Sequence, residues 1–341
     1  MNGLYMLTKE LCEIPAAAGR EHTIAKRLAE LAAPYADEWY LDRVGNLVTK
    51  ITGAGADKKK ILYAAHMDEV SVMACSIGDD GYVRFTKNGY PDITSLCYRE
   101  VVSERGVHGM LVPDHGCEKD ADPKKCYIDL GVYTKKDAAA LVSVGDTFTA
   151  VPSLIRLGES AIAGRPIDDR IGCAVQLLAA KELYTRGTRP YHDVYFVYTV
   201  QEELSVPGVG ASVACNEILP DIGLAVDVCD TGDVPGAYPM DVKLGGGAAI
   251  LVRDTSMVAD RGLVETLMEL AKEKGIPYQL EVSSEGGVDA VPMQKAGLGA
   301  KASVLSIPMR YLHTSAETAD LRDALGCVTL AVGLADKKDI K

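Results

Sequence analysis

A strongly apolar run, DVYFVYTV, ends in Gln201 and two adjacent acids, Glu202 and Glu203. A buried strand that ends in charge needs a fold that gives the charge a partner, because an unpaired ion in apolar surroundings is expensive. The pattern recurs along the chain. KKKILYAAHMDEV delivers His66 and Asp68, AVDV delivers Asp227, and His313 comes shortly after the apolar stretch 302–307. A fifth segment, PIDDR, supplies Asp168. In open α/β sheets the functional crevice lies beyond the C-terminal strand ends, so these residues are expected to meet there.

The inventory is two imidazoles, three carboxylates and one further carboxylate. With His66, Asp168, Glu203, Asp227 and His313 as ligands, the acids carry −3 against +4 from two divalent ions, a small residue of charge for a partly buried site. Nitrogen and oxygen donors without thiolates suit zinc, cobalt or manganese and argue against a purely structural zinc site. Two close metals can activate one water and polarise one carbonyl. Glu202 is then the general base and later the acid towards a leaving amine, and Asp68 is placed to orient the His66 ring. Each piece alone has a plainer reading, since Glu-Glu is ordinarily a solvated face and Asp-Asp before a helix a cap. The joint pattern carries the weight.

Composition narrows the rest. The chain has 341 residues and a net charge of −12, which opposes nucleic acid and anionic membranes. No apolar stretch is long enough to span a bilayer, and Lys9 and Glu10 fall where a signal peptide needs its apolar core. Nine cysteines without C-x-x-C spacing argue against a disulfide framework. A cytoplasmic protein is expected.

The pattern along the chain predicts a helix over 22–32, strands over 194–199, 222–228, 248–252, 278–282 and 302–307, and helices over 258–274 and 317–334. Between about 71 and 159 the texture changes to short strand-like pieces separated by Gly, Pro and Asp turns, interrupted by one short helical turn near 135–141. The economical reading is one α/β domain made of 1–70 and 160–341, with a small β-domain inserted at 71–159.

The segments LCEIPAAAG, AHMDEV, GDTFT, RPIDDRIGC, TVQEE, AVDV, GGVDA and HTSAE occur in this order nearly end to end. Together they resemble the cytosolic metal-dependent aminopeptidases that form tetrahedral dodecamers, the TET-type glutamyl or deblocking aminopeptidases. The resemblance implies a zinc-peptidase-like α/β sandwich with a mixed central sheet and a barrel-like inserted domain used for oligomerisation. It implies two metal ions, zinc foremost, with His66 and Asp227 on one, Glu203 and His313 on the other, Asp168 bridging and Glu202 as base. It further implies short peptide substrates and a homo-oligomer. Gly287 and Asp289, in GGVDA, are candidates for the substrate-binding wall.

Three departures stand out: LSVPGVGA at 204–211, Val288 before Asp289, and Thr314-Ser315 after His313. None removes a ligand, but they leave the specificity pocket open. Related carboxypeptidases, dipeptidases and deacylases remain alternatives, as does a non-catalytic scaffold, which the presence of Glu202 opposes. His108, Asp114, His115 and Cys117 lack a second acidic strand end and are not taken as a metal site. Gly245–Gly247 lacks the features of a phosphate loop. Cys173 and Cys229 are read as packing residues, and Ser103 and Ser205 lack a serine-nucleophile pattern.

Overall fold

The computed structural model describes residues 1–117, 121–204 and 208–341. Its strands divide between an eleven-stranded mixed sheet and a closed barrel. The first three strands are β1 (Glu38–Leu41), β2 (Leu47–Ile51) and β3 (Lys60–His66). The barrel comes next, with β4 (Ser71–Ile77), β5 (Val83–Asn88), β6 (Arg99–Ser103), β7 (His108–Pro113), β8 (Cys126–Asp129) and β9 (Thr147–Ala150). The sheet resumes with β10 (Ser153–Leu157), β11 (Ala161–Arg165), β12 (Asp193–Thr199) and β13 (Ile222–Cys229). It closes with β14 (Ala248–Arg253), β15 (Tyr278–Val282), β16 (Lys301–Arg310) and β17 (Glu317–Asp320).

The sheet runs β1-β2-β12-β3-β13-β16-β17-β11-β10, with β14 also on β16 and β15 on β14. Its centre is parallel: β12 with β3, β3 with β13, and β13 with β16. β13 is buried along its whole length, and β3 at all but its first residue. That accounts for their unbroken apolar sequences, since a parallel strand covered on both faces has no solvent side to mark with polar residues. Phe196 and Tyr63 stack at 5.3 Å across β12 and β3, each fully buried and each contributing roughly 1.5–3 kcal/mol by transfer from water.

Helices α1 (Asn2–Cys12), α2 (His22–Ala32), α3 (Ile93–Leu96), α4 (Lys135–Leu141), α5 (Arg170–Thr185), α6 (Val209–Ile218), α7 (Arg261–Lys274), α8 (Ala290–Met293) and α9 (Leu321–Asp336) complete the chain. α5 packs on β3 and β13 and against α1 and α9, while α6 and α8 pair with each other beside β12 and β13. Sequence chemistry sets several ends. Asp169 caps α5 by accepting from the Gly172 N–H, and Asp260 caps α7 through Leu263. Gly275 closes α7 at φ +64°, a conformation that favours glycine.

The barrel has a core of its own, including Val72, Val83, Phe85, Leu111, Ile128 and Phe148. Its strands end at Ala150. β10, which the texture of the sequence assigns to the inserted segment, pairs instead with β11 in the large sheet. The C-terminal helix also begins later than its apolar pattern suggests. Residues 317–320 form β17 against β11, because Asp320 caps the helix that starts at Leu321. α1 and α6 are helices that the periodicity did not reveal. α6, with Gly210 and small residues throughout, has little amphipathic contrast to read.

Candidate metal centre

His66 is the last residue of β3, and Thr199, the last of β12, lies beside it in register. The chain leaving β12 therefore carries Glu202 and Glu203 past the His66 ring. Gln201 turns this corner at φ +55°, a costly conformation for a residue with a Cβ. Two buried acids hold the corner. Glu21 accepts from the N–H groups of Gly19 (2.7 Å) and Gln201 (3.0 Å). The two oxygens of Asp68 accept the N–H groups of Glu202 and Glu203, each at 3.1 Å. Asp68 thus does something other than the ring orientation expected of its carboxylate. The His66 Nδ1 faces the Asp68 backbone carbonyl at 3.1 Å, with the carboxylate farther away at 3.6 Å.

Asp168 sits between β11 and α5 on a segment pinned from both sides. Glu317, fully buried, accepts from the N–H groups of Ile167 (2.7 Å) and Asp168 (3.2 Å). Arg165 donates to the Val70 carbonyl and Arg170 to those of Leu11 and Ile14, with buried Glu69 3.3 Å from Arg170 and 3.7 Å from Arg165. The buried arginines of RPIDDR are therefore structural staples. His313 reaches the site from the turn between β16 and β17, itself at φ +59°.

These elements bring all five proposed ligands together. His66 Nε2 lies 3.0 Å from Asp168 Oδ1 and 3.8 Å from Asp227 Oδ1. His313 Nε2 lies 3.2 Å from Glu203 Oε2 and 3.3 Å from Asp168 Oδ2. Asp168 offers one oxygen to each imidazole. Two groups result, His66–Asp168–Asp227 and Asp168–Glu203–His313, each with its ligand atoms within 4.8 Å of one another.

The donor set suits divalent cations. The His66 Nδ1 faces a carbonyl oxygen and must carry the proton, so in the neutral ring the Nε2 lone pair points at two carboxylates. Glu203 Oε1 is buried without a hydrogen-bond partner among the described residues. Lone pairs that converge in this way require a cation among them. Without one, protons serve. Burial disfavours charge on both imidazoles, but the surrounding carboxylates overcome it, raising His66 well above its ordinary value and His313 to about 11. Burial also works against ionised Asp168, yet His313 and His66 hold its carboxyl well below the usual range. Asp227 is pushed up to about 8, by burial against the pull of His66 and with a further push from Asp168. Burial raises Glu202 strongly, opposed by His66 and reinforced by Asp227, Asp289 and Glu203.

Glu202 shares with the five ligands a cavity of about 760 Å³, also lined by Gly286, Gly287 and Val288. Gly287 thus lines the cavity. Asp289 does not line the cavity; it is buried behind the wall, where its Oδ2 accepts from Thr199 Oγ1 at 2.5 Å. Elsewhere, Asp114 pairs with Arg84 and His108 with Glu100. Gly245 and Gly247 donate to the Asp323 carboxylate and form a turn on α9. The Ser103 hydroxyl accepts from Arg105 and Val107 in its own turn, and Ser205 lies outside the described residues. All nine cysteines are free. The Cys173 thiol donates to the His66 carbonyl, while Cys229 lines the cavity. Glu21, Glu317 and the second role of Asp68 escaped sequence reasoning, although Asp68 and Glu317 lie inside motifs that carry proposed ligands and Glu21 follows the LCEIPAAAG segment.

Comparison with known proteins agrees with this geometry. Residues 45–330 match the M42 glutamyl aminopeptidase family. The lysyl aminopeptidase of Pyrococcus furiosus is 31% identical, across 97% of this chain and 96% of its own length. Among solved structures, an aminopeptidase from Desulfurococcus kamchatkensis superposes with a TM-score of 0.92 at 33% identity, covering 98% of this chain and 95% of that one. The TET1 peptidase of Pyrococcus horikoshii, which can assemble into a tetrahedron or a large octahedral shell, superposes at 0.86 with 30% identity, covering 98% and 99%. No described helix is long and apolar enough to cross a membrane. The chain belongs to the M42 glutamyl aminopeptidase family and is a metal-dependent aminopeptidase.

Proposed function

We propose that His66 and Asp227 hold one divalent ion, that Glu203 and His313 hold a second, that Asp168 bridges them, and that Glu202 moves the proton. The observation that carries this reading is the convergence of two imidazoles and three carboxylates, with Glu202 in the same cavity. Zinc is the first choice, and cobalt and manganese suit the same donors. Bound there, the ions would polarise the scissile carbonyl and make water easier to deprotonate. Glu202 takes a proton from the attacking water on a carboxylate oxygen and delivers it to the leaving amine. Asp68 and Glu317 hold the backbones that carry Glu202, Glu203 and Asp168. Gly287 supplies wall to the peptide, and Asp289 braces the end of β12 through Thr199. The substrates are short peptides with a free N-terminus.

The barrel, inserted between β3 and β10, is the assembly module of a homo-oligomer in this reading, a dodecamer in its tetrahedral form. Two things support it: the shells formed by the Pyrococcus horikoshii relative, and exposed apolar side chains on this unit, among them Tyr98, Met110, Tyr133 and Val144. Nine free thiols suit a reducing cytoplasm.

The test is hydrolysis of aminoacyl-p-nitroanilides and their N-acetylated counterparts, after chelation and re-addition of zinc, cobalt or manganese. Cleavage of free-amine substrates only, lost with chelator and restored by metal, is expected. Activity confined to acylated substrates would move the assignment to a deacylase. Light scattering reports the assembly.

A further inference from the structure

The cavity that holds the candidate metal centre has a second acidic end. Asp254, immediately after β14, and Glu281, on β15, line it together with Leu251, Val304 and Ser306. Both acids are buried, at 4% and 6% exposure. Asp254 Oδ1 accepts from Ser256 N, Ser256 Oγ and Met257 N at 2.6–2.8 Å, while Oδ2 accepts nothing among the described residues. Glu281 Oε2 takes a bond from Ser306 Oγ at 2.5 Å. Asp230 and Glu285, both exposed, line the same cavity and add two more acids.

No lysine or arginine is among the described residues that line this cavity. The proposed ions do not balance this end, since their +4 is matched by Asp168, Glu203, Asp227 and Glu202. Two neighbouring buried carboxylates without a counter-ion are unfavourable, and apolar side chains of similar volume would serve stability as well or better. Burial, relieved by Ser306 and reinforced by Asp254, pushes Glu281 up to about 7. An open carboxylate oxygen on a nearly inaccessible side chain, in a cavity without fixed cations, is complementary to a cation brought by the ligand.

We propose that this end of the cavity receives the side chain of the substrate's N-terminal residue, and that it selects a cationic one, lysine or arginine, through Asp254 and Glu281. The inference rests on the aminopeptidase reading and specifies its substrate. The α-amine is common to every substrate and creates no preference among side chains. A glutamyl residue, which the family description names, would meet like charge here. Leucine would leave both carboxylates without a counter-charge, a mismatch that discriminates strongly when the polar groups are buried.

The test is kcat/KM of the metal-loaded protein on lysyl-, arginyl-, leucyl- and glutamyl-p-nitroanilide. The expected order places lysyl and arginyl at least tenfold above leucyl and at least a hundredfold above glutamyl. In Glu281→Gln and Asp254→Asn, the lysyl-to-leucyl ratio should fall at least tenfold, chiefly through KM of the lysyl substrate. A measurement on the unaltered protein guards against variants that fail to fold. Free L-lysine should inhibit leucyl-p-nitroanilide cleavage at least tenfold more strongly than L-norleucine, which shares the carbon chain but lacks the ammonium. Leucyl or glutamyl preference, or equal inhibition by the two amino acids, overturns the cationic pocket and leaves the aminopeptidase standing. An unchanged ratio in both folded variants overturns the assignment to these residues. Cleavage of N-acetylated substrates alone would overturn the underlying reading instead.

Discussion

The two ends of the cavity are both acidic and both buried, yet they suit different cations. At the β3–β13 end, carboxylates alternate with imidazoles, and the ligand atoms gather into two groups that share Asp168. Imidazole nitrogen adds the softer donor that favours zinc-like ions. At the β14–β15 end the acids stand without histidine, and one carboxylate oxygen is left open, which suits an ammonium or guanidinium. The supports differ as well. The first end is held by backbone N–H groups gripped by Asp68, Glu21 and Glu317. Among the described residues, Asp254 is held by its own turn alone. Burial of negative charge therefore does not name a ligand; the neighbouring donors and the rigidity around them do.

The contrast between the two ends can be broken most decisively at the ligand end. Removing the metal should abolish turnover while sparing the far end. It should also lower the unfolding midpoint, since an ion present at a hundred times its Kd stabilises by about 2.7 kcal/mol; metal analysis paired with calorimetry reads both. Next in size is Glu202→Gln, for which kcat should fall about 10²–10⁴-fold with metal content unchanged. Intact activity in a metal-replete Glu202→Gln protein would remove Glu202 from the mechanism.

A smaller effect sharpens the contrast in support. Asp68→Ala would leave the N–H groups of Glu202 and Glu203 unpaired in a buried place, costing about 2–6 kcal/mol for the two. Denaturant midpoints should show the loss, and Asp68→Asn, which retains one acceptor oxygen, should recover part of it. Equal stability of Asp68→Ala and the parent would mean that the corner at Gln201 supports itself.

The remaining effect concerns the far end and is confined to a pH window. Glu281 is raised by burial to about 7, above its unfolded value of about 4.3. Its folded form holds the proton more tightly, so the stability it contributes is complete below about pH 4 and is lost as pH rises to about 7. The total is at most about 3–4 kcal/mol. Glu281→Gln should flatten this part of the stability profile, measured by chemical denaturation between pH 4 and 8. An identical slope in the variant would show that Glu281 is not the titrating group.

Much of the ligand end was legible in the chain itself. His66, Glu202 and Glu203 end or succeed apolar strands and Asp227 lies near the end of one; the residue pattern reveals the direction and burial of these strands, and parallel strands deliver the residues near their C-terminal ends to a common edge. The far end was not legible. Glu281 lies in YQLEV, where one acid in a short strand reads as the solvent face, and Asp254 comes after Arg253 in a stretch that reads as a polar turn. Their burial depends on β14 being placed beside β16 and β15 beside β14, pairings no local pattern encodes. Asp289 was misplaced for the same reason, since two residues decide whether a side chain lines a cavity or lies behind it.

Residue chemistry alone determined which groups could bind metal, that one further carboxylate stood beside them, and that a β-rich segment interrupts an α/β chain. These are properties of side-chain type and periodicity, and they survive without coordinates. Tertiary structure decided which oxygen faces which nitrogen, that Asp68 grips backbone more closely than it meets a ring, that β10 belongs to the sheet, and that a second pair of acids is sealed into the cavity. Those outcomes depend on contacts between segments far apart in the chain, where register and burial are settled by the packing of the whole.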